Sequence, residues 1–80
     1  MSFHEELRIV NYLNHCWSLY LGNKRPYECE NNLDEAYYWI KKSERDSLMF
    51  FNSETIVRFC EISLKIKQAY CERYIDLFLN

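Results

Sequence analysis

Residues 53–80 read SETIVRFCEISLKIKQAYCERYIDLFLN and contain neither glycine nor proline. Asn52 or Ser53 can cap a helix here, because a side-chain oxygen at that position accepts a hydrogen bond from a free amide of the first turn. A helix over residues 53–79 would be roughly 39 Å long at 1.5 Å per residue. This stretch therefore predicts a long carboxy-terminal helix and favours an all-α fold.

A helical wheel at about 100° per residue divides this predicted helix into three stripes. The polar stripe is about 80° wide on the wheel, and we expect it to be solvated. Its members are Glu54, Arg58, Glu61, Lys65, Gln68, Glu72 and Asp76. The first apolar stripe contains Ile56, Phe59, Ile62, Ile66, Tyr70, Tyr74 and Leu77. The second apolar stripe contains Val57, Cys60, Leu64, Cys71, Ile75 and Phe78.

A surface helix needs only one apolar stripe facing the core, so the second stripe has two interpretations. In one, the helix is a central axis and the other helices pack on both of its apolar faces. In the other, the second stripe forms part of a subunit or partner interface. The candidate oligomer-interface residues are then Cys60, Leu64, Cys71, Ile75 and Phe78. Because the radius of gyration expected for this length is about 12 Å, the end of the helix should also project.

The beginning of the chain predicts a helix over residues 3–21. Ser2 and Glu5 fit the capping-box pattern, in which the hydroxyl and the carboxylate satisfy two free amides at the start of a helix. Apolar residues then recur at a spacing of three and four, which is typical of a helix. Gly22 lies where a left-handed residue commonly ends such a helix.

The middle of the chain predicts a loop and then a second helix. Pro26 disfavours helical backbone at the residue before it, so residues 23–31 are expected to form a loop. Asn32 can cap the next helix, and the acidic residues that follow it suit the dipole of a first turn. The second helix is therefore expected over residues 33–51.

The charged residues 41–47 interrupt the apolar pattern of that second helix. Either the helix continues through them, straight or kinked, to about Phe51, or it stops near Lys42 and Ser43 caps a new turn. We favour continuation. The expected architecture is a single helical domain over residues 1–80, a small all-α three-helix bundle, or four helices if the second one is kinked.

The composition limits the classes of fold and function. The 80-residue chain has one glycine and one proline, too few turn residues for an all-β fold. Its net charge is −2, whereas a general nucleic-acid binder carries clustered positive charge. No apolar run approaches the length of a membrane span, and no signal peptide opens the chain, so we expect a cytoplasmic protein with no membrane partner.

The cysteines and histidines give only weak indications of chemistry. The four cysteines form no CxxC pair, and we expect them to be reduced, although a disulfide from Cys16 or Cys29 to the last helix remains open. His15 and Cys16 are adjacent and would diverge on a helix, so they do not supply the close ligand pair of a structural zinc site. No glycine-rich phosphate loop is present. We expect no metal, no cofactor and no enzymatic activity.

The segment around residues 27–39 combines acidic and aromatic side chains. Residues 37–39 are Tyr-Tyr-Trp and sweep about 200° of a helix, so at least one of them should be exposed. Exposed tyrosine and tryptophan are enriched at binding hot spots, and an acidic surface suits a basic partner. The predicted partner-binding residues are Tyr27, Glu28, Glu30, Asp34, Glu35, Tyr38 and Trp39.

These patterns predict a small protein-binding module, an inhibitor or adaptor that occupies a surface of a larger protein. The size and the aromatic content are compatible with a phage or mobile-element protein that modulates a host factor. A homodimer is a further hypothesis, from the two-sided last helix. The alternative function is a small dimeric helix-turn-helix-like DNA-binding regulator, with the basic segment from Lys41 to Arg45 near phosphates, but the acidic net charge disfavours a nucleic-acid partner.

Overall fold

The computed structural model of the chain describes residues 3–22 and 26–79. This part contains three α-helices and a short 3₁₀ helix, Leu48–Phe50, and no strand. The helices are α1 (Phe3–Gly22), α2 (Pro26–Asp46) and α3 (Ser53–Leu79). The predicted all-α three-helix bundle with a long carboxy-terminal helix is therefore confirmed.

The end of α1 differs from the sequence expectation. Gly22 is the last helical residue and has no positive φ, so the expected left-handed residue at this position is wrong. The capping box predicted at Ser2 lies outside the described residues.

The beginning of α2 also differs. The helix begins at Pro26, so the loop expected over residues 23–31 is wrong from that residue onward. A proline is favourable at the first helical position, because its fixed φ is already helical and no amide is needed there. Asn32 consequently lies inside the helix and does not cap it.

The charged segment continues α2 to Asp46, five residues short of the expected end at Phe51. Ser43 is a buried residue inside the helix, so the alternative in which it caps a new turn is wrong. The amide of Ser47 donates to the carbonyl oxygen of Ser43 at 2.9 Å, and the chain then tightens into the 3₁₀ helix. This turn brings Phe51 into the core, where its ring meets Phe59 edge-on at 5.8 Å.

The start of α3 is held by two side chains. Asn52 Oδ1 accepts a hydrogen bond from the amide of Thr55 at 3.2 Å, which confirms the cap predicted from the sequence. The amide of Asn52 donates in turn to Glu6 Oε1 at 2.7 Å, across 46 positions of the chain. Glu6 is buried, so its carboxylate ties α1 to the first turn of α3.

All three pairs of helices are in contact. The core contains Val10, Leu13 and Cys16 from α1, Leu33, Ala36 and Ile40 from α2, Phe51, and Phe59, Ile62, Ile66 and Ala69 from α3. The polar stripe of α3 is exposed through Glu72. The second apolar stripe is exposed as well, from Val57 to Ile75. The interpretation of α3 as a central axis buried on both apolar faces is therefore wrong.

Candidate partner-binding surface

A groove of about 300 Å³ lies between α1 and α2, and its lining is mostly apolar. We call it the aromatic groove, and its lining residues are Arg8, Ile9, Tyr12, Glu35 and Trp39. Two of these, Glu35 and Trp39, belong to the predicted partner-binding residues. The sequence pattern did not identify the three residues that α1 contributes.

Glu35 fixes the aromatic walls of this groove. Its Oε1 accepts a hydrogen bond from Tyr12 Oη at 3.0 Å and another from Trp39 Nε1 at 3.3 Å. The two rings meet edge-on with their centroids 6.3 Å apart, a favourable aromatic geometry. One carboxylate on α2 thus holds a ring from each helix, and the groove is preformed in the free chain.

Tyr12 acts as a donor in this arrangement. Desolvation of the phenol, followed by its hydrogen bonds to Cys16 and Glu35, raises the pKa of Tyr12 above its usual value. The hydroxyl therefore keeps its proton at any physiological pH and continues to donate to the carboxylate of Glu35. The hydrogen bond from Tyr12 to Glu35, which joins the two helices at the groove, is therefore not lost through deprotonation of Tyr12.

The run of aromatic residues at positions 37–39 points in three directions. Tyr37 stacks on Tyr70 of α3 with ring centroids 4.0 Å apart and planes 5° apart. Trp39 turns toward α1 and packs against the core. Tyr38 lies between these directions, is 58% exposed, and meets the ring of Trp39 edge-on at 5.6 Å. The prediction that one of the three must be exposed is confirmed, and the exposed residue is Tyr38.

The rim of the groove carries charges of both signs. Arg8 lines it from α1, and Lys42 Nζ lies 4.9 Å from the centre of the Trp39 ring, a cation–π contact. These cations stand beside Glu35, so the surface is not uniformly acidic as the sequence segment indicated. A partner would meet an aromatic centre with a mixed charged rim.

Asp34 does not join this surface. It is exposed on the side of α2 that faces α3, where its charge acts on Tyr70. The pKa of Tyr70 rises to about 12, first because of its hydrogen bond to Tyr74, then through desolvation, and to a smaller extent through Asp34. The side chains of Tyr27, Glu28 and Glu30 lie outside the described ones, so their predicted role stays a prediction.

The described residues offer little covalent or metal chemistry. Over residues 3–22 and 26–79, no three His, Cys, Asp or Glu side chains come together as a metal site would require. Cys16, Cys60 and Cys71 are free thiols, the first buried and the other two exposed. Burial raises the pKa of the Cys16 thiol, which keeps it protonated and poorly nucleophilic.

The basic segment of α2 does not form one cationic patch. Lys41 Nζ lies 5.5 Å from the centre of the Tyr37 ring on the α3 side, whereas Lys42 lies over Trp39 on the α1 side. Arg45 Nε pairs with Asp46 Oδ1 at 2.9 Å. The cations are divided among different faces of the helix.

Comparison with protein-family models, with curated proteins and with solved structures finds no match to this chain. In the described ranges, no helix combines the length and the apolarity that crossing a lipid bilayer requires.

Proposed function

We propose that this chain is a small non-enzymatic protein-binding module that uses the aromatic groove, together with Tyr38, as its contact surface. An inhibitor or adaptor of a larger protein acts in this way. The observation that carries the proposal is a preformed groove of about 300 Å³ whose edge holds a tyrosine that is 58% exposed.

The residue types support a protein partner. Tyrosine, tryptophan and arginine are the side chains most enriched at hot spots, and Tyr12, Tyr38, Trp39 and Arg8 all stand at this surface. Aromatic side chains supply a large contact area at a low cost in conformational entropy, because they have only two side-chain torsions. The polar rim can then orient the partner.

Preorganisation also supports the proposal. Glu35 already bonds both Tyr12 and Trp39 in the free chain, so these rings lose little freedom when a partner arrives. Ordering a side chain at an interface otherwise costs about 0.5–1.5 kcal/mol. The partner should therefore meet a surface that changes little on binding.

The test is affinity capture from the native host with immobilised wild-type protein and immobilised Tyr38→Ala. The substitution removes an exposed ring and leaves the core intact, whereas Trp39→Ala would also disturb packing. We expect one protein to be captured by the wild type and its affinity for Tyr38→Ala to fall roughly tenfold or more, as for a hot spot.

Phe50→Ala is the matched control for this experiment. Phe50 is another exposed aromatic residue, on the 3₁₀ helix, and it is not part of the aromatic groove. Its replacement should leave capture unchanged, and circular dichroism should show the same helical content in all three proteins. Equal capture by folded Tyr38→Ala and wild type would mean that the groove is the wrong surface.

No observation favours the alternative of a DNA-binding regulator, because the cations of the basic segment lie on different faces of α2 and Arg45 is already paired. A gel-shift titration at low salt measures this directly, since non-specific electrostatic binding is strongest there. We expect no retardation at micromolar protein, and a shift that disappears with added salt would revive the alternative.

A further inference from the structure

The face of α3 that points away from the core is apolar along most of its length. Val57, Leu64 and Ile75 are 57%, 68% and 54% exposed, and Cys60 and Cys71 are exposed beside them. Single exposed apolar side chains are ordinary on a protein surface, but a contiguous patch marks an interaction site. These residues are aligned on one helix and form such a patch.

The spacing within this face is that of a coiled-coil seam. Three residues recur every seven positions, Val57, Leu64 and Cys71. Each is followed three positions later by a second member, respectively Cys60, Lys67 and Tyr74. This is the alternation of a and d positions that lets two helices pack knobs into holes. We call these six residues the α3 seam, and Lys67 is its charged member.

We propose that the α3 seam pairs with the seam of a second copy of this chain, with the two helices antiparallel. In an antiparallel pair, each residue at position a of one helix lies opposite a residue at position d of the other helix. Val57 then lies opposite Tyr74 of the partner subunit, Cys60 opposite Cys71 of the partner subunit, and Leu64 opposite Lys67 of the partner subunit.

The charge of Lys67 favours this orientation. A parallel pair would bring Lys67 level with Lys67 of the partner subunit, and the two ammonium groups would repel. In the antiparallel pair the stem of Lys67 covers Leu64 of the partner subunit, while its Nζ stays 3.0 Å from Glu44 of its own α2.

The register also uses the whole helix. The three pairs of facing residues imply a two-fold axis that passes between Lys65 and Ile66. This point lies at the middle of α3 (Ser53–Leu79), whose central residue is Ile66. Two copies therefore overlap along almost the full length of about 40 Å. A contact about 10 Å wide covers on the order of 400 Å² per copy, roughly half of a standard interface. We expect reversible, concentration-dependent dimerisation.

Cysteine cross-linking tests the partner and the orientation together. Helices packed 8–10 Å apart, each with its Cα atoms about 2.3 Å from the axis, leave facing Cα atoms roughly 3.4–5.4 Å apart, which overlaps the Cα separation of a disulfide. A Cys29→Ser background removes a thiol that has no part in the proposal. Mild oxidation with copper phenanthroline should convert this background protein into covalent dimers.

Variants with a single seam thiol make the test specific. Cys60→Ser and Cys71→Ser, each in that background, leave like thiols about 16 Å apart along an antiparallel pair, so neither should cross-link alone. An equal mixture of the two should give a covalent heterodimer. Cross-linking of either variant alone would overturn the antiparallel orientation. No cross-linking in the mixture or in the background protein would overturn the pairing itself.

Sedimentation equilibrium measures the association without oxidant. Leu64→Glu places a carboxylate in the seam and should weaken dimerisation on the order of a hundredfold, because two buried leucines are lost per dimer. Met49→Glu is the matched control, since Met49 is 75% exposed and lies outside the seam, and it should dimerise like the wild type. A folded wild-type protein that remains monomeric at all concentrations, as expected if a different protein covers the seam, would overturn the proposal.

Discussion

At the scale of single residues, the three described thiols occupy contrasting environments. Cys16 is 4% exposed among core residues, and burial raises its pKa. Cys60 and Cys71 are exposed on α3. The thiolate is the reactive species, so a thiol that is both covered and held protonated reacts slowly with an alkylating reagent.

We therefore expect iodoacetamide at neutral pH to modify Cys60 and Cys71 in the folded protein long before Cys16, at a protein concentration low enough to keep the chain monomeric. Peptide mass spectrometry of a time course measures the three rates separately. The protein in denaturant is the control, where Cys16 should react as fast as the others. Equal rates for the three residues in the folded protein would contradict the burial of Cys16.

The exposure of polar positions could be predicted from the sequence, but that of the second apolar stripe and the contacts between helices could not. The wheel identified the exposed polar stripe of α3, and the angular sweep of residues 37–39 required one exposed ring. Tyr12 was not identified, because its role depends on how α1 is rotated and shifted against α2. A hydrogen bond from Tyr12 to Glu35 spans 23 positions, and no local pattern records it.

At the scale of secondary-structure elements, Gly22 and Pro26 show why helix ends are hard to predict. Glycine and proline often mark the ends of helices in a sequence, but each residue type can have two structural roles. A glycine can end a helix in a left-handed conformation or simply be its last residue, and a proline can exclude a helix or begin one. The structure shows the second case at both residues. The cap of α3 was predicted more closely, since the sequence offered Asn52 or Ser53 and the structure has Asn52.

Gly22→Ala should therefore stabilise the protein, by about 0.5–1 kcal/mol. The backbone there is not left-handed, and nothing lies within 4 Å of an added Cβ, so alanine only reduces the freedom of the unfolded chain. Urea denaturation followed by circular dichroism measures the change in the free energy of unfolding.

Gly22→Asn is the matched comparison for that prediction. Asparagine tolerates a left-handed backbone better than alanine does, but it is the poorer helix former. Alanine should accordingly be the more stabilising of the two residues at this position. A lower stability for Gly22→Ala than for Gly22→Asn would show that Gly22 is left-handed in solution.

At the scale of the whole molecule, the two candidate surfaces use different helices. The aromatic groove belongs to α1 and α2, whereas the α3 seam lies on α3 alone and reaches α2 only at the ion pair of Lys67 with Glu44. The molecule is elongated, with extents of 42 × 22 × 16 Å, and its long dimension matches the length of α3. A dimer formed through the seam would leave both grooves open.

Binding of a partner and self-association should therefore be separable. We expect Leu64→Glu to lose dimerisation and keep capture of the partner, and Tyr38→Ala to show the reverse. Sedimentation equilibrium and affinity capture, applied to both variants, measure the two properties. Loss of both properties in one variant that retains its helical content would mean that the partner recognises the dimer rather than one groove.

Because Trp39 lines the groove, its fluorescence can report whether the groove is occupied. Its indole N–H donates to Glu35, and Lys42 Nζ lies 4.9 Å from its ring, so water or charge displaced from the groove changes the surroundings of the fluorophore. The chain contains two tryptophans, and Trp17 lies apart from this one, beside Tyr20 on α1. A Trp17→Phe protein would emit from the groove wall alone, and its spectrum would report occupancy without any attached dye.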